Sequence, residues 1–556
     1  MTNHSFDASH AAAVLEVKNL VVGLTGDEDT APVLNGIAIT IRAGETVCLV
    51  GESGSGKSVT SLATMGLLPR QSLDPRAGEI LFEGEDLLKA DASRMRALRS
   101  KSIAMIFQEP MTALNPVLTV GQQICEVLQE HTRLSATEQK QAVLEMMREV
   151  HLPDVDRIFG SYPHQLSGGQ RQRIMIAMAL ILKPKLLIAD EPTTALDVTT
   201  QKQILKLIDE LQEKQGTAVL FITHDMGVVA EIADTVYVMN RGDVVESGPI
   251  EAILTNPQKD YTRKLLSSVP SLVPRAPRQQ GSTEVVLSAS ELEKVYGKKG
   301  WFGKFEAGTR AATDVSFTLK KGRTLGIVGE SGSGKSTVAR CVMRLIDPTS
   351  GSIRVGGQEI ADFSRRAIQP HRQHIQMVFQ DPYRSLNPRI TVGDSIAEGP
   401  MNYGVSKAEA FRRARELLQI VGLPDDAVNR YPHQFSGGQR QRIAIARAVA
   451  MNPKVLVADE AVSALDVSVQ AQVLDLLSDM QEKFGIAILF ITHDLRVAAQ
   501  ICDDVIVMQK GRIVEYATGH EVLSNPSHAY TRQLIDAAPG RHWDFANFRP
   551  LEPTAA

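Results

Sequence analysis

Short apolar runs that stop abruptly at a glycine, an acidic residue or a threonine recur along the chain. Runs of this length and aliphatic character are typical of parallel strands buried on both faces. They form three matched pairs: Thr46–Val50 and Thr324–Val328, Lys185–Ala189 and Lys454–Ala458, and Ala218–Ile222 and Ile486–Ile491. Helical patterns alternate with them, which predicts an α/β protein. The segments 116–160 and 388–430 are also helical in pattern, and we expect an inserted helical subdomain in each half.

The matched runs reflect a duplication of nearly the whole chain. The octapeptide GESGSGKS occurs at Gly51–Ser58 and again, 278 residues later, at Gly329–Ser336. The SGGQ, ADE and THD motifs that follow are repeated 269 residues apart, so the second copy is nine residues shorter between the glycine-rich loop and SGGQ. The sequence therefore predicts two homologous halves of roughly 270 residues, not a short-period repeat.

Proline, glycine and polar residues mark the junction between the halves. The stretch SLVPRAPRQQGSTE, which begins at Ser271, has the composition of a linker. We predict a first domain at 1–270, a linker at 271–285, a second domain at 286–540 and a loosely held tail at 541–556.

Composition narrows the class of protein. Of the 556 residues, 43% are hydrophobic, 22% are charged and only 5% are aromatic, as in a soluble protein with an aliphatic core. The net charge of −4 argues against a general nucleic-acid binder. The four cysteines are far apart and have no metal-ligand spacing, which indicates inert thiols in a reducing cytoplasm.

The sequence predicts no membrane span. The most apolar stretch, Ile174–Leu182, has nine residues, whereas a span needs ~18 or more. The N-terminal residues lack the basic and apolar regions of a signal peptide. We therefore expect a cytoplasmic protein that reaches a membrane only through a partner.

The two glycine-rich octapeptides have the pattern G-x-x-x-x-G-K-S, which binds phosphate. Its backbone N–H groups converge on the phosphates, and the helix that follows presents its positive end to the same anion. Lys57 and Lys335 are predicted to reach the β- and γ-phosphates, and Ser58 and Ser336 to ligate Mg²⁺. Each copy follows an apolar strand, which is the context that the motif requires.

Acidic pairs end another strand in each half. Asp190 and Asp459 come at strand ends, where a carboxylate can meet the Mg²⁺ of a bound nucleotide. The next residues, Glu191 and Glu460, are predicted to polarise a water for in-line attack on the γ-phosphate.

Amide and imidazole side chains follow further apolar runs. We expect Gln108 and Gln380 to contact the metal or the attacking water. His224 and His493, each in the sequence Thr-His-Asp, are predicted to hydrogen-bond the γ-phosphate.

An S-G-G-Q sequence begins a predicted helix in each half. The bare N–H groups of its glycines and its hydroxyl form a second anion-binding end. Because a half that already holds one phosphate loop does not need another, we predict that the two halves face each other. The phosphate loop of one half and the SGGQ of the other would then enclose each ATP.

The chain resembles the ATP-binding cassette (ABC) family over nearly its whole length. Each half has Walker A, a glutamine loop, the signature, Walker B with its glutamate, an Ala-Leu-Asp loop (Ala195–Asp197, Ala464–Asp466) and the switch histidine. The resemblance implies an α/β fold of two tandem P-loop NTPase domains. Each would have a RecA-like core, an antiparallel β subdomain and a helical subdomain.

The resemblance also implies two composite ATP sites. The first would join Gly51–Ser58 to Phe435–Gln439, and the second would join Gly329–Ser336 to Leu166–Gln170. The predicted nucleotide-binding residues are Gly51, Glu52, Ser53, Gly54, Ser55, Gly56, Lys57, Ser58, Ser167, Gly168, Gly169, Gln170, Tyr296, Gly329, Glu330, Ser331, Gly332, Ser333, Gly334, Lys335, Ser336, Thr337, Ser436, Gly437, Gly438 and Gln439. The predicted catalytic residues are Glu191, Glu460, His224, His493, Gln108 and Gln380, and the predicted metal ligands are Ser58, Gln108, Asp190, Ser336, Gln380 and Asp459.

Two positions distinguish the halves. The family places an aromatic ring on adenine; Tyr296 suits that role, whereas Leu24 takes the equivalent place in the first half, which predicts weaker stacking there. Glu191 is followed by Pro192 but Glu460 by Ala461. We expect this to produce a local backbone difference and not an inactive site.

The ends of the two halves narrow the resemblance. The sequence N-P-x-x-x-Y-T occurs at Asn256–Thr262 and Asn525–Thr531, and related runs occupy Glu109–Gly121 and Asp381–Gly393. They resemble the oligopeptide, dipeptide and nickel importer group, in which these runs face the coupling helices of the permeases. Taken alone, NPxxxYT is equally compatible with a capped packing helix. The fused arrangement is most similar to the ATPases of glutathione importers.

This group implies function and partners. We expect ATP hydrolysis, with Mg²⁺, to power uptake of dipeptides, oligopeptides or glutathione through two integral-membrane permease subunits. An extracytoplasmic substrate-binding protein is expected as well, and nucleic acid is not. The chain would lie peripherally on the cytoplasmic face of the inner membrane. Some members hold an iron–sulfur cluster in the tail; neither tail contains cysteine, so we predict no cluster.

Three alternatives remain at this point. The same ATPase role could serve nickel, opine or oligosaccharide uptake. A soluble twin-cassette translation factor usually joins its halves by a long charged helix, whereas this linker is short and rich in proline and glycine. An exporter half normally carries fused membrane spans, and none is predicted.

Overall fold

The computed structural model describes residues 12–27, 29–193, 196–276, 278, 282–299, 305–463 and 465–551, with no side-chain detail at 110, 111, 298, 299 and 305–307. The chain folds into two compact units. The first comprises residues 1–196, 200–269 and 542–556, and the second comprises 197–199 and 270–541. Ala195 and Ala464, from the two Ala-Leu-Asp loops, lie outside the described residues.

The first unit contains two sheets. Its strands are Ala13–Leu24 (β1), Leu34–Arg42 (β2), Thr46–Val50 (β3), Leu73–Phe82 (β4), Glu85–Asp86 (β5), Ile103–Ile106 (β6), Leu186–Asp190 (β7), Ala218–Thr223 (β8), Thr235–Asn240 (β9) and Asp243–Pro249 (β10). The larger sheet has the order β10-β9-β3-β8-β7-β6, parallel from β9 to β6 with β10 antiparallel to β9. The smaller sheet, β2-β1-β4-β5, is antiparallel throughout.

Helices connect and cover these strands. They are Lys57–Thr64 (α1), Ala92–Leu98 (α2), Pro110–Ala113 (α3), Val120–His131 (α4), Ala136–Glu149 (α5), Val155–Phe159 (α6), Gly168–Leu180 (α7), Val198–Gln215 (α8), Met226–Ile232 (α9), Ile250–Thr255 (α10) and Asp260–Ser267 (α11). The predicted helical insert is present as α4, α5 and α6. Capping boxes at Thr119 and Ser135 start α4 and α5, because each side chain accepts a hydrogen bond from the third residue of its helix.

The parallel strand β3 is buried along its whole length. Val47 and Leu49 share one apolar cluster with Leu15, Ile37 and Ile80 of the antiparallel sheet. Because side chains alternate along a strand, the residues between them face the opposite side of the sheet. The carboxyl end of β3, where the glycine-rich loop begins, is therefore fixed by packing on both faces.

The second unit repeats this architecture. Its strands are Val285–Lys299 (β11), Phe305–Lys320 (β12), Thr324–Val328 (β13), Ser350–Val355 (β14), Gln358–Glu359 (β15), Ile375–Val378 (β16), Val455–Asp459 (β17), Ala487–Thr492 (β18), Asp504–Gln509 (β19) and Arg512–Thr518 (β20). The sheet orders, β20-β19-β13-β18-β17-β16 and β12-β11-β14-β15, are those of the first unit. The predicted α/β fold of two tandem domains is confirmed.

Its helices follow the same order. They are Lys335–Val342 (α12), Val392–Asn402 (α13), Lys407–Ile420 (α14), Gly437–Val449 (α15), Val467–Phe484 (α16), Leu495–Ile501 (α17), Gly519–Ser524 (α18) and Ala529–Ala537 (α19). A 3₁₀ turn at Asp425–Asn429 stands where the first unit has α6. Among the described residues, no helix has both the length and the apolar character needed to cross a bilayer.

The predicted linker is fastened to the second unit. Arg275 donates its backbone N–H to Ala499 O at 3.1 Å, and its Nη2 lies 2.5 Å from Asp503 Oδ1. The carbonyl of Ser271 accepts from Gln500 Nε2 at 3.0 Å. These bonds fix the start of this segment along α17.

Within the predicted tail, the described residues 541–551 contain regular structure. Trp543–Asp544 (β21) and Arg549–Pro550 (β22) pair in a small hairpin, with a 3₁₀ turn at Phe545–Asn547 between them. Phe545 is only 4% exposed, and its turn lies against α11 of the first unit. A single buried aromatic side chain leaves no periodic pattern in the sequence, which is why this contact was not predicted.

Candidate active site

The glycine-rich loop of the first unit folds around the ammonium of Lys57. Lys57 is buried at the start of α1, and its Nζ donates to Gly51 O at 2.8 Å and to Glu52 O at 3.0 Å. Met239 lies on β9, and a Cβ at Gly51 would be 2.2 Å from its carbonyl oxygen. Only glycine therefore fits where the loop passes this strand. The exposed tip is Ser53 and Gly54.

The loop of the second unit has the same geometry. Lys335 Nζ donates to Gly329 O at 2.7 Å and to Glu330 O at 2.8 Å. Burial lowers the pKa of Lys335, against the opposing effect of the Glu460 carboxylate. Both loops therefore hold a buried positive charge at the N-terminal end of a helix, which is the arrangement that a phosphate requires.

Each loop is joined to the strand-end aspartate. Ser58 Oγ donates to Asp190 Oδ1 at 3.3 Å, and Ser336 Oγ donates to Asp459 Oδ1 at 3.1 Å. Burial raises the pKa of both aspartates, and the neighbouring glutamates add to this. In the part of the chain that the structure describes, no group of three or more His, Cys, Asp or Glu residues could hold a metal by itself. A hydroxyl and one carboxylate fit a Mg²⁺ that takes its other ligands from phosphates and water.

The first unit brings the three predicted catalytic side chains together. Gln108 Nε2 donates to Glu191 Oε2 at 2.8 Å, and His224 Nδ1 lies 3.2 Å from Glu191 Oε1. Glu191 follows β7 with a φ of 47°, and its backbone N–H donates to Ile222 O at 2.9 Å. A left-handed conformation is unfavourable for a glutamate, so the surrounding contacts must impose it.

The second unit repeats the constellation. Gln380 Nε2 donates to Glu460 Oε2 at 2.8 Å, and His493 Nδ1 lies 3.6 Å from Glu460 Oε1. Burial disfavours both charges, but the interaction of Glu460 with His493 outweighs it: the pKa of Glu460 is lowered and that of His493 is raised.

The backbone difference expected at Ala461 is not seen at the preceding glutamate. Glu460 has a φ of 48°, against 47° for Glu191, and donates the equivalent bond, to Ile491 O at 2.9 Å. The prediction was wrong in this respect because the same strand-to-strand hydrogen bond sets the conformation in both halves, whichever residue follows.

The signature serines cap their own helices. Ser167 Oγ accepts from the Gln170 N–H at 3.3 Å, and Gln170 Oε1 accepts from the Ser167 N–H at 3.0 Å. Ser436 and Gln439 form the same reciprocal pair at 3.3 and 3.0 Å. The glycines that follow each serine are the first residues of α7 and α15. Because they are the first residues, their N–H groups have no acceptor within the helix. In this cap each serine oxygen acts as an acceptor, and its O–H can still donate to an anion.

The two positions predicted to lie beside adenine, Leu24 and Tyr296, are both exposed. Leu24 is 38% exposed at the end of β1. Tyr296 is 43% exposed on β11, with Lys294 Nζ 5.3 Å from its ring centroid. Thr337 is half-buried on α12, beside Ser336.

Sequence reasoning missed one residue at each loop. The hydroxyl of Tyr261 accepts from the Glu52 N–H at 3.3 Å, and the hydroxyl of Tyr530 accepts from the Glu330 N–H at 3.2 Å. Both belong to NPxxxYT motifs, which by sequence alone are family markers or packing helices. The recurrence of the tyrosine in both halves was the available signal.

Family models match both halves. The model described as "ABC transporter" matches residues 34–194 and 312–463. The model described as "Oligopeptide/dipeptide transporter, C-terminal region" matches residues 245–299 and 514–550. These matches confirm the resemblance drawn from the motifs.

Relatives match the chain over almost its full length. The glutathione import ATP-binding protein GsiA of Escherichia coli strain K12 is 46% identical, covering 96% of this chain and 90% of that protein. GsiA of Salmonella typhimurium is 46% identical, covering 95% of this chain and 89% of that protein. The chain therefore belongs to the ABC transporter family, as a tandem pair of ATP-hydrolysing cassettes.

Proposed function

We propose that this chain is the ATPase subunit of an importer that takes up peptides, with glutathione, dipeptides and oligopeptides as the substrate class. One observation carries the proposal: both cassettes hold a complete set of hydrolysis residues, and each is followed by a region that matches oligopeptide/dipeptide transporters. The similarity to glutathione import proteins supports the same substrate class.

The chemistry proposed at each cassette follows from its side chains. The phosphate loop binds the β- and γ-phosphates through backbone N–H groups and Lys57 or Lys335. Ser58 with Asp190, and Ser336 with Asp459, would hold Mg²⁺, assisted by Gln108 and Gln380. When bound, this ion neutralises charge on the phosphates.

The glutamate acts on the attacking water. Glu191, held between Gln108 and His224, is placed to accept a proton from a water in line with the γ-phosphate. Glu460 takes the same role in the second cassette, and the histidines hydrogen-bond the γ-phosphate. In the structure each glutamine donates to the carboxylate, so this bond must be exchanged when nucleotide and water enter.

We further propose that each ATP is bound by both cassettes. The loop Gly51–Ser58 would act with Phe435–Gln439, and Gly329–Ser336 with Leu166–Gln170. The glycine amides at the start of each signature helix support this role, because a helix N-terminus stabilises an anion. Closure on ATP and opening after hydrolysis would drive two permease subunits at the cytoplasmic face of the inner membrane. An extracytoplasmic binding protein would deliver the substrate.

Uptake measurements test the substrate class. A strain that lacks this chain is given labelled glutathione, a panel of dipeptides and oligopeptides, and Ni²⁺. We expect loss of uptake of at least one peptide substrate. The wild-type chain should restore it, whereas the matched Glu191→Gln/Glu460→Gln variant should not. Unchanged peptide uptake together with lost nickel uptake would contradict the assignment.

A further inference from the structure

The tyrosine of each NPxxxYT motif touches the phosphate loop of its own unit. Tyr261 accepts the Glu52 N–H at 3.3 Å, and Tyr530 accepts the Glu330 N–H at 3.2 Å. The residues just before these tyrosines differ, Gln-Lys-Asp in one motif and Ser-His-Ala in the other. The same contact from different local sequences indicates that the tyrosine serves the loop and not merely the packing of its helix.

The tyrosine and the loop lysine bind one peptide group from opposite ends. Gly51 O, which accepts from Lys57 at 2.8 Å, belongs to the same planar peptide as the Glu52 N–H. In the second unit, Gly329 O accepts from Lys335 at 2.7 Å in the same way. The ammonium of a lysine has three N–H donors, so it can turn toward nucleotide phosphates and weaken its bond to this carbonyl. The tyrosine bond then remains to fix the orientation of the peptide.

The main sheet fixes the position of each tyrosine. On β20, the carboxylate of Glu515 accepts from the Ser527 N–H at 2.8 Å, the His528 N–H at 3.2 Å and Thr531 Oγ1 at 2.5 Å. In the first unit, Glu246 on β10 accepts from the Gln258 N–H at 2.7 Å and the Lys259 N–H at 3.1 Å. The turn before each tyrosine is therefore fastened to the edge strand of the sheet that carries the phosphate loop.

We propose that Tyr261 and Tyr530 are positioning residues that hold the first peptide of each phosphate loop in its nucleotide-binding orientation. The C-terminal extension of each cassette, which is the region that contains its NPxxxYT motif, thereby sets the affinity of that cassette for ATP. The inference rests on the proposed binding of ATP at these loops. It assigns to the extension a role at the ATP site, besides any role in assembly.

The test compares Tyr261→Phe/Tyr530→Phe with Tyr237→Phe in the full-length chain. Tyr237 is a matched control because its hydroxyl also accepts a backbone N–H at 3.2 Å. The donor is Thr40, on β2 of the smaller sheet in the first unit. Binding of the Mg²⁺ complex of a non-hydrolysable ATP analogue is measured by calorimetry, and KM and kcat by steady-state hydrolysis. Loss of one hydrogen bond to a backbone amide is expected to raise Kd and KM about tenfold, with little change in kcat.

Amide exchange supplies a second readout. In the double variant, exchange in peptides covering residues 50–56 and 328–334 should be faster than in wild type, and in Tyr237→Phe it should not. If the double variant does not fold, Tyr261→Phe and Tyr530→Phe are tested singly. Unchanged Kd, KM and loop exchange in folded variants would overturn the inference. Failure of the wild-type chain to bind the analogue would instead overturn the proposed function.

Discussion

The glutamate proposed as the catalytic base has a strained backbone and accepts a hydrogen bond from a glutamine in both cassettes. Glu191 and Glu460 have φ values of 47° and 48°, and each carboxylate accepts from a glutamine at 2.8 Å. A left-handed glutamate costs about 1–2 kcal/mol, and its presence in both cassettes indicates that function requires it. The strain places the carboxylate beyond the end of the strand, between the glutamine loop and the histidine.

The pKa of His493 tests this arrangement. Burial favours the neutral imidazole, but Glu460 outweighs it and holds the pKa above the ordinary 6.5. The stabilisation that protonated His493 gives to the folded state is fully present below pH 6.5. It is lost as the pH rises through the higher pKa of the folded state. Glu460, with a pKa below 4.5, loses its contribution only as the pH falls through that lower value.

Histidine-selective NMR titration gives the measurement. In Glu460→Gln, burial lowers the pKa of His493 and the Asp494 charge still raises it, but the contribution of Glu460 is lost, so the pKa should fall. Glu409→Gln, which changes an exposed glutamate paired with Arg412 on α14, is the control and should leave it unchanged. An unaltered His493 pKa in Glu460→Gln would show that the pair is not formed.

At the scale of elements, the two units differ where the linker attaches. Asp503, before β19, accepts the Thr324 N–H at 2.8 Å and is paired with Arg275 at 2.5 Å and Arg323 at 3.6 Å. Asp234, before β9, accepts the Thr46 N–H at 2.8 Å. Burial raises its pKa, and the charges of the neighbouring carboxylates Glu45 and Asp209 raise it further. At this duplicated position, the second unit has an aspartate paired with two arginines. The first unit has an aspartate surrounded by other carboxylates.

Opposite stability effects are expected from the same substitution. Because the folded pKa of Asp234 is raised, its favourable contribution exists below about pH 3.9 and is lost as the pH rises. Asp234→Asn keeps an acceptor for Thr46 and should raise the melting temperature of the first unit at pH 7. Asp503→Asn loses its ion pairs and should destabilise the second unit by about 1.5–3 kcal/mol. Calorimetry at pH 7 checks the signs, and shifts in the same direction would contradict this explanation.

The sequence was most informative where a motif repeats. It was least informative where a single side chain determines a contact. Apolar runs located β3 and β13 to the residue, since both faces of these strands are buried. The capping role of Ser167 was missed because S-x-x-Q fits both an anion site and a helix cap. Tyr261 was missed because its contact with Glu52 spans 209 residues. Arg275 was missed because a linker composition does not show which side chains find a partner.

At the scale of the whole molecule, duplication supplies two copies of each side chain proposed to act on ATP. Both cassettes retain the lysine, aspartate, glutamate and histidine with nearly equal geometry. A requirement for both copies follows directly if each ATP needs a phosphate loop from one cassette and a signature from the other.

Double variants distinguish composite from separate sites. Lys57→Ala with Ser436→Arg removes two parts of the same proposed site, so one binding site for a non-hydrolysable ATP analogue should remain per chain. Lys57→Ala with Ser167→Arg damages both sites and should leave none. Equilibrium dialysis measures the stoichiometry. Equal stoichiometry in the two double variants would contradict the proposed pairing of loops and signatures.

The two glutamates are proposed to catalyse ATP hydrolysis, and steady-state ATPase activity of Glu191→Gln/Glu460→Gln tests this central role most directly. The substitution keeps the size of the side chain and one acceptor oxygen but removes the base. We expect kcat to fall about 10²–10⁴-fold, while binding of the Mg²⁺–ATP complex is retained. An ATPase rate equal to that of the wild-type chain would contradict this role.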